Sequence, residues 1–364
     1  MKPGSSGPRI AAAAVLALLL ASCAAPLRYA KPVDPMAVLP PDAAIYLKLG
    51  RGALGDLAPP LLDSLGSAAP SSRNLKSMLG KTETAAVAAF PSSREAGPAS
   101  PGGLPRFEAV LMGDYPYRSA TLALGQDRQW KKDARGRALV STAQGLGLSF
   151  AGRGIVLVAS DGGGRPVDDD AGAAMGAGSG PADADAGRGA SIEAAVEALV
   201  DRLLVAGASV IPPGLSALCD GDIVIWAPDP FGKLAASLLG GEAAEDIDIP
   251  AEGVLLSARR SAESPAGGAA SAAGGAASAA GGPASAAFYE LTIVFLMRNE
   301  EDARTFRPAI RLAWYGLSRS LLPGEAEAAS LRFELSGETV AASGLRVKAS
   351  SLASALSMVA RKAR

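Results

Sequence analysis

Runs of alternating apolar and polar residues divide the body of the chain into short strands separated by a few helices. Period-two alternation or short apolar runs predict strands at 43–49, 84–90, 106–112, 146–150, 155–160, 223–226, 253–258, 289–297, 331–335 and 340–344. Apolar residues at helical spacing predict helices near 54–65, 119–129, 191–206, 231–239, 299–321 and 351–362. Pro59 and Pro60 favour a helix start inside the first of these. Ser191 and Asn299 are expected to cap two others.

The same order of elements occurs twice along the chain. Residues 42–218 and residues 219–364 each follow the order β-α-β-β-α-β(β)-α. The first six elements resemble the βαββαβ order of ferredoxin-like folds. We therefore expect an α+β protein of two similar units, with antiparallel or mixed sheets and with helices on one face of each sheet. Residues 41–160 should then superpose on residues 220–345.

Two segments within these units have the composition of inserts rather than of regular structure. Residues 161–190 are rich in Gly, Ala and Asp, and residues 265–287 repeat a Gly-Gly-Ala-Ala-Ser-Ala-Ala pattern. We expect both to be disordered loops. An alternative for the first insert is that its aspartates, among them Asp168 and Asp183, bind calcium. They lack the glycine turn and distal glutamate of an EF-hand loop, so a solvated acidic loop is the preferred interpretation.

The N-terminus has the three parts of a secretory signal. Lys2 and Arg9 supply positive charge, and an apolar run covers 10–20 before the small residues Ala21 and Ser22. Its length is within the range of about 7–15 residues of signal segments and short of the roughly 20 of a spanning helix. Residues 1–22 are therefore predicted to be a signal peptide cut after Ser22. An ordinary secretory signal with a coincidental cysteine, or an uncleaved anchor, remains an alternative.

The run Leu20-Ala21-Ser22-Cys23 resembles the lipobox of bacterial lipoproteins. The resemblance implies that Cys23 carries a diacylglyceryl thioether and an acylated amine, and that it becomes the first mature residue. Several acyl chains make stable contact with a bilayer. Ala24, where an aspartate would resemble an inner-membrane retention signal, favours an outer-membrane lipoprotein facing the periplasm. The proline-rich segment 23–41 is expected to act as a tether.

Charge and composition exclude several kinds of function. The chain has 35 basic and 36 acidic residues, with 5% aromatic residues, so neither charge nor stacking surfaces favour nucleic acid binding. It contains no histidine, which removes imidazole catalysis and the commonest transition-metal ligand. With Cys23 lipidated, Cys219 has no partner for a disulfide and is expected to be a small buried residue.

These patterns favour a membrane-anchored envelope lipoprotein that is not an enzyme, resembling uncharacterised lipoproteins with a duplicated body. No catalytic, metal or cofactor residues are predicted, and the expected partners are the bilayer, through Cys23, and an envelope protein. Two alternatives remain open. An extracytoplasmic enzyme would use carboxylates, with Asp42, Asp220 and Asp222 as candidates. A solute-binding lipoprotein would need a pocket between the units, with Trp226 and Trp314 as candidate anchors.

Overall fold

The structure is a computed structural model. It describes residues 33–57, 80–90, 106–115, 121–161, 181–205, 207–230, 250–261, 287–321 and 331–354, with gaps at 123, 125, 127–128, 134, 143–144 and 152–153. Side chains are described throughout these ranges except at 181–188 and 316–321.

Within the described residues, twelve strands form one antiparallel sheet. In chain order they are β1 (Ile45–Gly50), β2 (Thr82–Ala89), β3 (Phe107–Gly113), β4 (Lys131–Lys132), β5 (Leu139–Ser141), β6 (Leu146–Phe150), β7 (Ile155–Ser160), β8 (Ile223–Pro228), β9 (Ala251–Ser261), β10 (Phe288–Met297), β11 (Arg332–Ser336) and β12 (Thr339–Lys348). Across the sheet their order is β11-β12-β10-β9-β8-β1-β2-β3-β7-β6-β5-β4. Two longer helices, α1 (Pro181–Val205) and α2 (Glu300–Leu321), accompany the sheet with two 3-10 helices, η1 (Pro35–Ala37) and η2 (Pro213–Leu218).

The seam between the two halves of the sheet is the ladder between β1 and β8. These strands pair antiparallel, with Tyr46 opposite Trp226 and Leu49 opposite Ile223. Strands β2 to β7 all lie on the β1 side of this seam, and β9 to β12 lie on the β8 side. The strands of the two predicted units are therefore joined edge to edge in one sheet.

The sheet is buried on both faces. The side carrying Tyr46, Val110 and Trp226, here the first face, packs against η1, η2 and α1. The opposite side, here the second face, carries Leu49, Ile223 and Tyr289, and it packs against a helical segment at 51–57, against Trp314 of α2 and against Ala353 of a helical segment at 349–354. The prediction that helices cover one face only was wrong, because neighbouring residues of β1 and β8 are apolar towards both sides.

The α+β class and most of the strands are confirmed. Strands β6 and β7 have the predicted bounds, and the hairpin between them is antiparallel. A ferredoxin-like layout is not confirmed. A βαβ crossover joins parallel strands, whereas every ladder between the described strands is antiparallel and β1, β2 and β3 pair in chain order. Strands β4 and β5 were not predicted, since each has only two or three residues.

The start of α1 differs from the prediction. The helix begins at Pro181, so Ser191 lies inside it and is not its cap. Residues 181–190 of the predicted disordered insert are therefore helical, which suits their alanine content and a proline in the first turn. A helical segment is formed at 51–57, whereas the predicted helix start at Pro59–Pro60 lies outside the described residues.

Asn299 caps α2 as predicted. Its Oδ1 accepts a hydrogen bond from the Asp302 N–H over 2.8 Å, and three acidic residues occupy the first turn. Pro308 lies inside this helix. Of the helices in the described residues, none combines the length and the apolar character that a bilayer crossing requires.

A glycine makes room for the largest aromatic side chain of the seam. Trp226 is 3% exposed, and a Cβ built on Gly253 would lie 2.0 Å from its Cη2 atom. Gly253 faces Pro228 in the β8–β9 ladder. Any side chain at this position would therefore displace Trp226 from the first face.

Both edges of the sheet carry charge. Strand β4 consists of the exposed residues Lys131 and Lys132, and β11 exposes Arg332 and Glu334 on alternating positions. Short edges with charged side chains discourage pairing with the strands of another molecule.

Candidate functional site

Four polar residues tie the two halves of the sheet together at its second face. This seam network consists of Asp56, Asp222, Arg260 and Tyr289. Asp56 accepts a 2.8 Å hydrogen bond from the Tyr289 hydroxyl at Oδ2. The Arg260 guanidinium lies 3.2 Å from both Asp56 oxygens, through Nε to Oδ2 and Nη2 to Oδ1. This two-pronged contact fixes the 51–57 segment against β9 and β10.

Asp222 extends the seam network to the backbone of β1. Its Oδ2 accepts a 2.7 Å hydrogen bond from the Arg260 N–H, and its carbonyl accepts one of 2.7 Å from the Gly50 N–H. Asp222 therefore holds the end of β1 and the end of β9 at once. Asp222 directly precedes β8 and has a structural role, because its carboxylate is hydrogen-bonded to the backbone amide of Arg260.

Two buried tyrosines near the seam are held in their protonated form. Burial, together with the hydrogen bond to Asp56, raises the pKa of Tyr289 well above its ordinary value. Burial raises the pKa of Tyr46 to about 12, and its hydroxyl donates to the Pro40 carbonyl over 2.6 Å. Both hydroxyls therefore remain hydrogen-bond donors at neutral pH and are poorly suited to act as general bases.

The Lys48 side chain contacts the backbone of Cys219. The Lys48 ammonium donates to the Cys219 carbonyl over 3.2 Å, and the Cys219 thiol lies 3.5 Å from the Leu215 carbonyl. Burial raises the pKa of the thiol, which outweighs the opposing effect of the nearby Lys48 charge. A half-buried thiol with a raised pKa is a packing residue, although Cys219 is less buried than the sequence predicted.

A buried ion pair joins α1 to the sheet. Glu108 of β3 is 4% exposed, and its Oε2 lies 3.4 Å from Nη1 of Arg202 in the last turn of α1. Burial raises the pKa of Glu108, and the Arg202 charge opposes that shift. Arg202 therefore limits the rise in the pKa of Glu108, and the contact joins the last turn of α1 to β3.

The acids proposed for a carboxylate enzyme have different surroundings. Asp42 is exposed, and it acts electrostatically on Tyr46 and Glu108, which belong to the first face. Asp222 belongs to the seam network on the second face. Asp220 is exposed in the turn before β8. The described structure thus does not show these three acids as a paired site.

The two tryptophans proposed as ligand anchors are core residues. Trp226 and Trp314 are each 3% exposed, and they belong to the apolar clusters on opposite faces of the sheet. The Trp314 indole N–H has no hydrogen-bond partner among the described residues. At the junction of the two halves, the described residues form the β1–β8 ladder.

Cys23 and Ser22 lie outside the described residues, as do residues 1–22 and most of the insert 265–287. Sequence reasoning did not find Asp56, Arg260 or Tyr289. Their partners are separated by 204 and 233 residues along the chain, so no local spacing could indicate the contacts. It also did not find the Glu108–Arg202 pair, although a lone glutamate in an apolar strand was a usable signal.

No known family model matches the chain, and no curated protein matches it significantly. Solved structures of a protein called TP0453 are similar to it. Crystal form IV has a TM-score of 0.51 at 15% sequence identity, with 90% of this chain and 97% of that chain covered. Crystal form I has a TM-score of 0.50 at 15% identity, with 91% and 99% covered. At this identity the likeness concerns the fold alone: the chain shares an α+β architecture with TP0453.

Proposed function

We propose that this protein is a lipid-anchored lipoprotein of the cell envelope, and that its folded body is a scaffold or binding module rather than an enzyme. The observation that carries the proposal is the run Leu20-Ala21-Ser22-Cys23 after an apolar segment of signal length. Acyl chains on Cys23 would hold the body at a bilayer. Ala24 supports an outer-membrane location facing the periplasm.

The way the chain enters the fold supports this proposal. Asp34 caps η1 through a 3.1 Å hydrogen bond to the Met36 N–H, and Met36 and Val38 are each 1% exposed in the first-face core. The chain is therefore fixed to the body from η1 onward. Eleven residues lead from Cys23 to Asp34, and at about 3.3–3.6 Å per residue they reach at most about 40 Å. The body would stay within that distance of its anchor.

The contacts of the seam support a binding or scaffolding role. Asp56 accepts hydrogen bonds from the Arg260 guanidinium and the Tyr289 hydroxyl, and the Asp222 carbonyl accepts one from the Gly50 N–H, so these contacts join the two halves of the sheet. The tyrosine hydroxyl stays protonated at neutral pH. These hydrogen bonds favour a rigid body that binds partners through its surface. They give these groups no role in proton transfer.

We also propose that the body arose from an internal duplication. Outward from the seam, one half reads β1, β2, β3, β7 and β6, and the other reads β8, β9, β10, β12 and β11. In both halves the third strand pairs with one member of a closing hairpin. The matching order supports two similar units, which meet through β1 and β8.

Cys23→Ser is expected to release the protein from membranes and to abolish its labelling by a fatty-acid analogue. The lipid is attached through the thiol, and serine does not accept the diacylglyceryl group. Fractionation of cells into soluble and membrane parts, followed by immunoblotting, measures the effect.

Cys219→Ser is the matched control, since it removes the only other thiol of the chain. It should leave both membrane association and labelling unchanged. A Cys23→Ser protein that stays with membranes and still takes up label would refute the anchor.

A further inference from the structure

A cluster of three carboxylates joins α1 to the outer edge of the sheet. Asp133 directly follows β4, and Glu193 and Glu197 lie one turn apart on α1, so they share one side of the helix. One carboxylate oxygen of each residue lies within 4.8 Å of the other two. Asp133 is buried, while the two glutamates are half-buried.

Asp133 supplies an observation that is independent of the clustering. The residue is 7% exposed, and its Oδ1 accepts a 2.9 Å hydrogen bond from the Ala138 N–H. Its Oδ2 is buried and has no hydrogen-bond partner among the residues that the structure describes. A buried carboxylate oxygen without a partner is costly to desolvate, and a bound cation is one of the few ways to compensate it.

Two arginines form ion pairs with Glu197, one member of the cluster. Nη1 of Arg135 and Nη2 of Arg137 lie 3.1 Å and 3.0 Å from Oε1 of Glu197. Their side chains are 64% and 36% exposed, so they approach from the solvent side. Neither donates to Oδ2 of Asp133. They reduce the negative charge of the cluster without filling its buried side.

We propose that Asp133, Glu193 and Glu197 bind a divalent cation of the Ca²⁺ class. The ligand set is all carboxylate oxygen, which suits hard cations rather than zinc or copper. Ca²⁺–oxygen distances of about 2.3–2.6 Å let one ion bridge oxygens up to about 5 Å apart, which covers the observed 4.8 Å limit. Water would complete the coordination.

The cation would act as a clamp between α1 and the β4–β5 edge. Strand β4 has two residues and β5 three, so few ladder hydrogen bonds hold this end of the sheet. Binding at Asp133 would fix the turn that joins them to α1. Because the arginines partly neutralise Glu197, we expect a dissociation constant of about 10⁻⁴–10⁻³ M, the range of extracellular calcium modules.

Calorimetric titration of the purified protein, without its signal segment, with CaCl₂ tests the site. We expect one ion bound per chain, and a rise in Tm of about 2–4 °C at about 10 mM CaCl₂. NaCl of equal ionic strength should give neither result. The site is independent of lipid attachment, so a failure here would leave the anchor proposal standing.

Asp133→Asn separates a cation site from a merely structural role. The variant keeps an oxygen for the Ala138 N–H and places an amide donor near the two glutamates. We expect calcium affinity to fall at least about tenfold, while Tm without calcium stays the same or rises. Glu193→Gln should also lose affinity at least about tenfold, and it decides the question if Asp133→Asn does not fold.

Asp201→Asn is the control, since Asp201 is 66% exposed on the same helix. It should bind calcium like the wild type. The proposal is overturned if the wild type shows no calcium binding at about 10 mM, or if Asp201→Asn loses as much affinity as the cluster variants.

Discussion

Replacing Trp226 with alanine is expected to lower the free energy of unfolding by about 3–5 kcal/mol. Trp226 is 3% exposed, lies opposite Tyr46 at the seam, and packs over Gly253. Its removal leaves a cavity between strands that are tied on both sides, so the surroundings can collapse only partly. Urea unfolding followed by circular dichroism measures the change.

Leu312→Ala is the matched control for the tryptophan. Leu312 is a large apolar residue that is 74% exposed on α2, so its loss should change the free energy of unfolding by no more than about 0.5 kcal/mol. If Trp226→Ala costs as little as Leu312→Ala, Trp226 is not a core residue. The hypothesis of a ligand anchor at Trp226 would then regain support.

Arg202→Met is expected to destabilise the protein by about 1–3 kcal/mol at neutral pH. The methionine retains most of the apolar stem, but Glu108, 4% exposed, loses its charged partner. The cost is set below that of a fully buried pair, because the Arg202 side chain is 36% exposed. Thermal or urea unfolding of the two proteins gives the difference.

The deficit of Arg202→Met should depend on pH in a defined direction. Burial raises the pKa of Glu108 in the folded state, and Arg202 limits that rise. A raised carboxyl pKa contributes stability below the unfolded pKa and loses it as pH rises through the folded pKa. Without Arg202 the folded pKa is higher still. The deficit should therefore be small near pH 4 and largest near pH 7.

Glu108→Gln tests that explanation. In the Glu108→Gln background, adding Arg202→Met should give a deficit that no longer changes with pH. The charges of Arg106 and Asp42 also affect the pKa of Glu108, and both residues are unchanged in all of the compared variants. A deficit of Arg202→Met that is equal at about pH 4 and pH 7 would contradict the role given to the ion pair.

The strands could be predicted because their signal is local. The hairpin of β6 and β7 and the capped start of α2 follow from alternation and from one asparagine, and both occur where expected. The covered faces were not predicted. Ile223–Trp226 is apolar at every position, which is the pattern of a strand buried on both sides. This pattern indicates that both faces of the sheet are covered.

The contacts between distant parts of the chain could not be predicted from spacing. Asp56 and Tyr289 are 233 residues apart, and in the sequence neither differs from an ordinary turn or strand residue. Asp133 meets α1 only because β4 and β5 extend the sheet beneath the helix. The register of twelve strands decides both arrangements, and one sequence does not encode that register in any short segment.

The most direct test of the lipoprotein account is the mass of the N-terminal tryptic peptide from protein purified in detergent. Cleavage after Arg28 should release residues 23–28. The account predicts that this peptide begins at Cys23 and carries a diacylglyceryl group and an N-linked acyl chain. A peptide with an unmodified Cys23, or one that begins before Cys23, would contradict it.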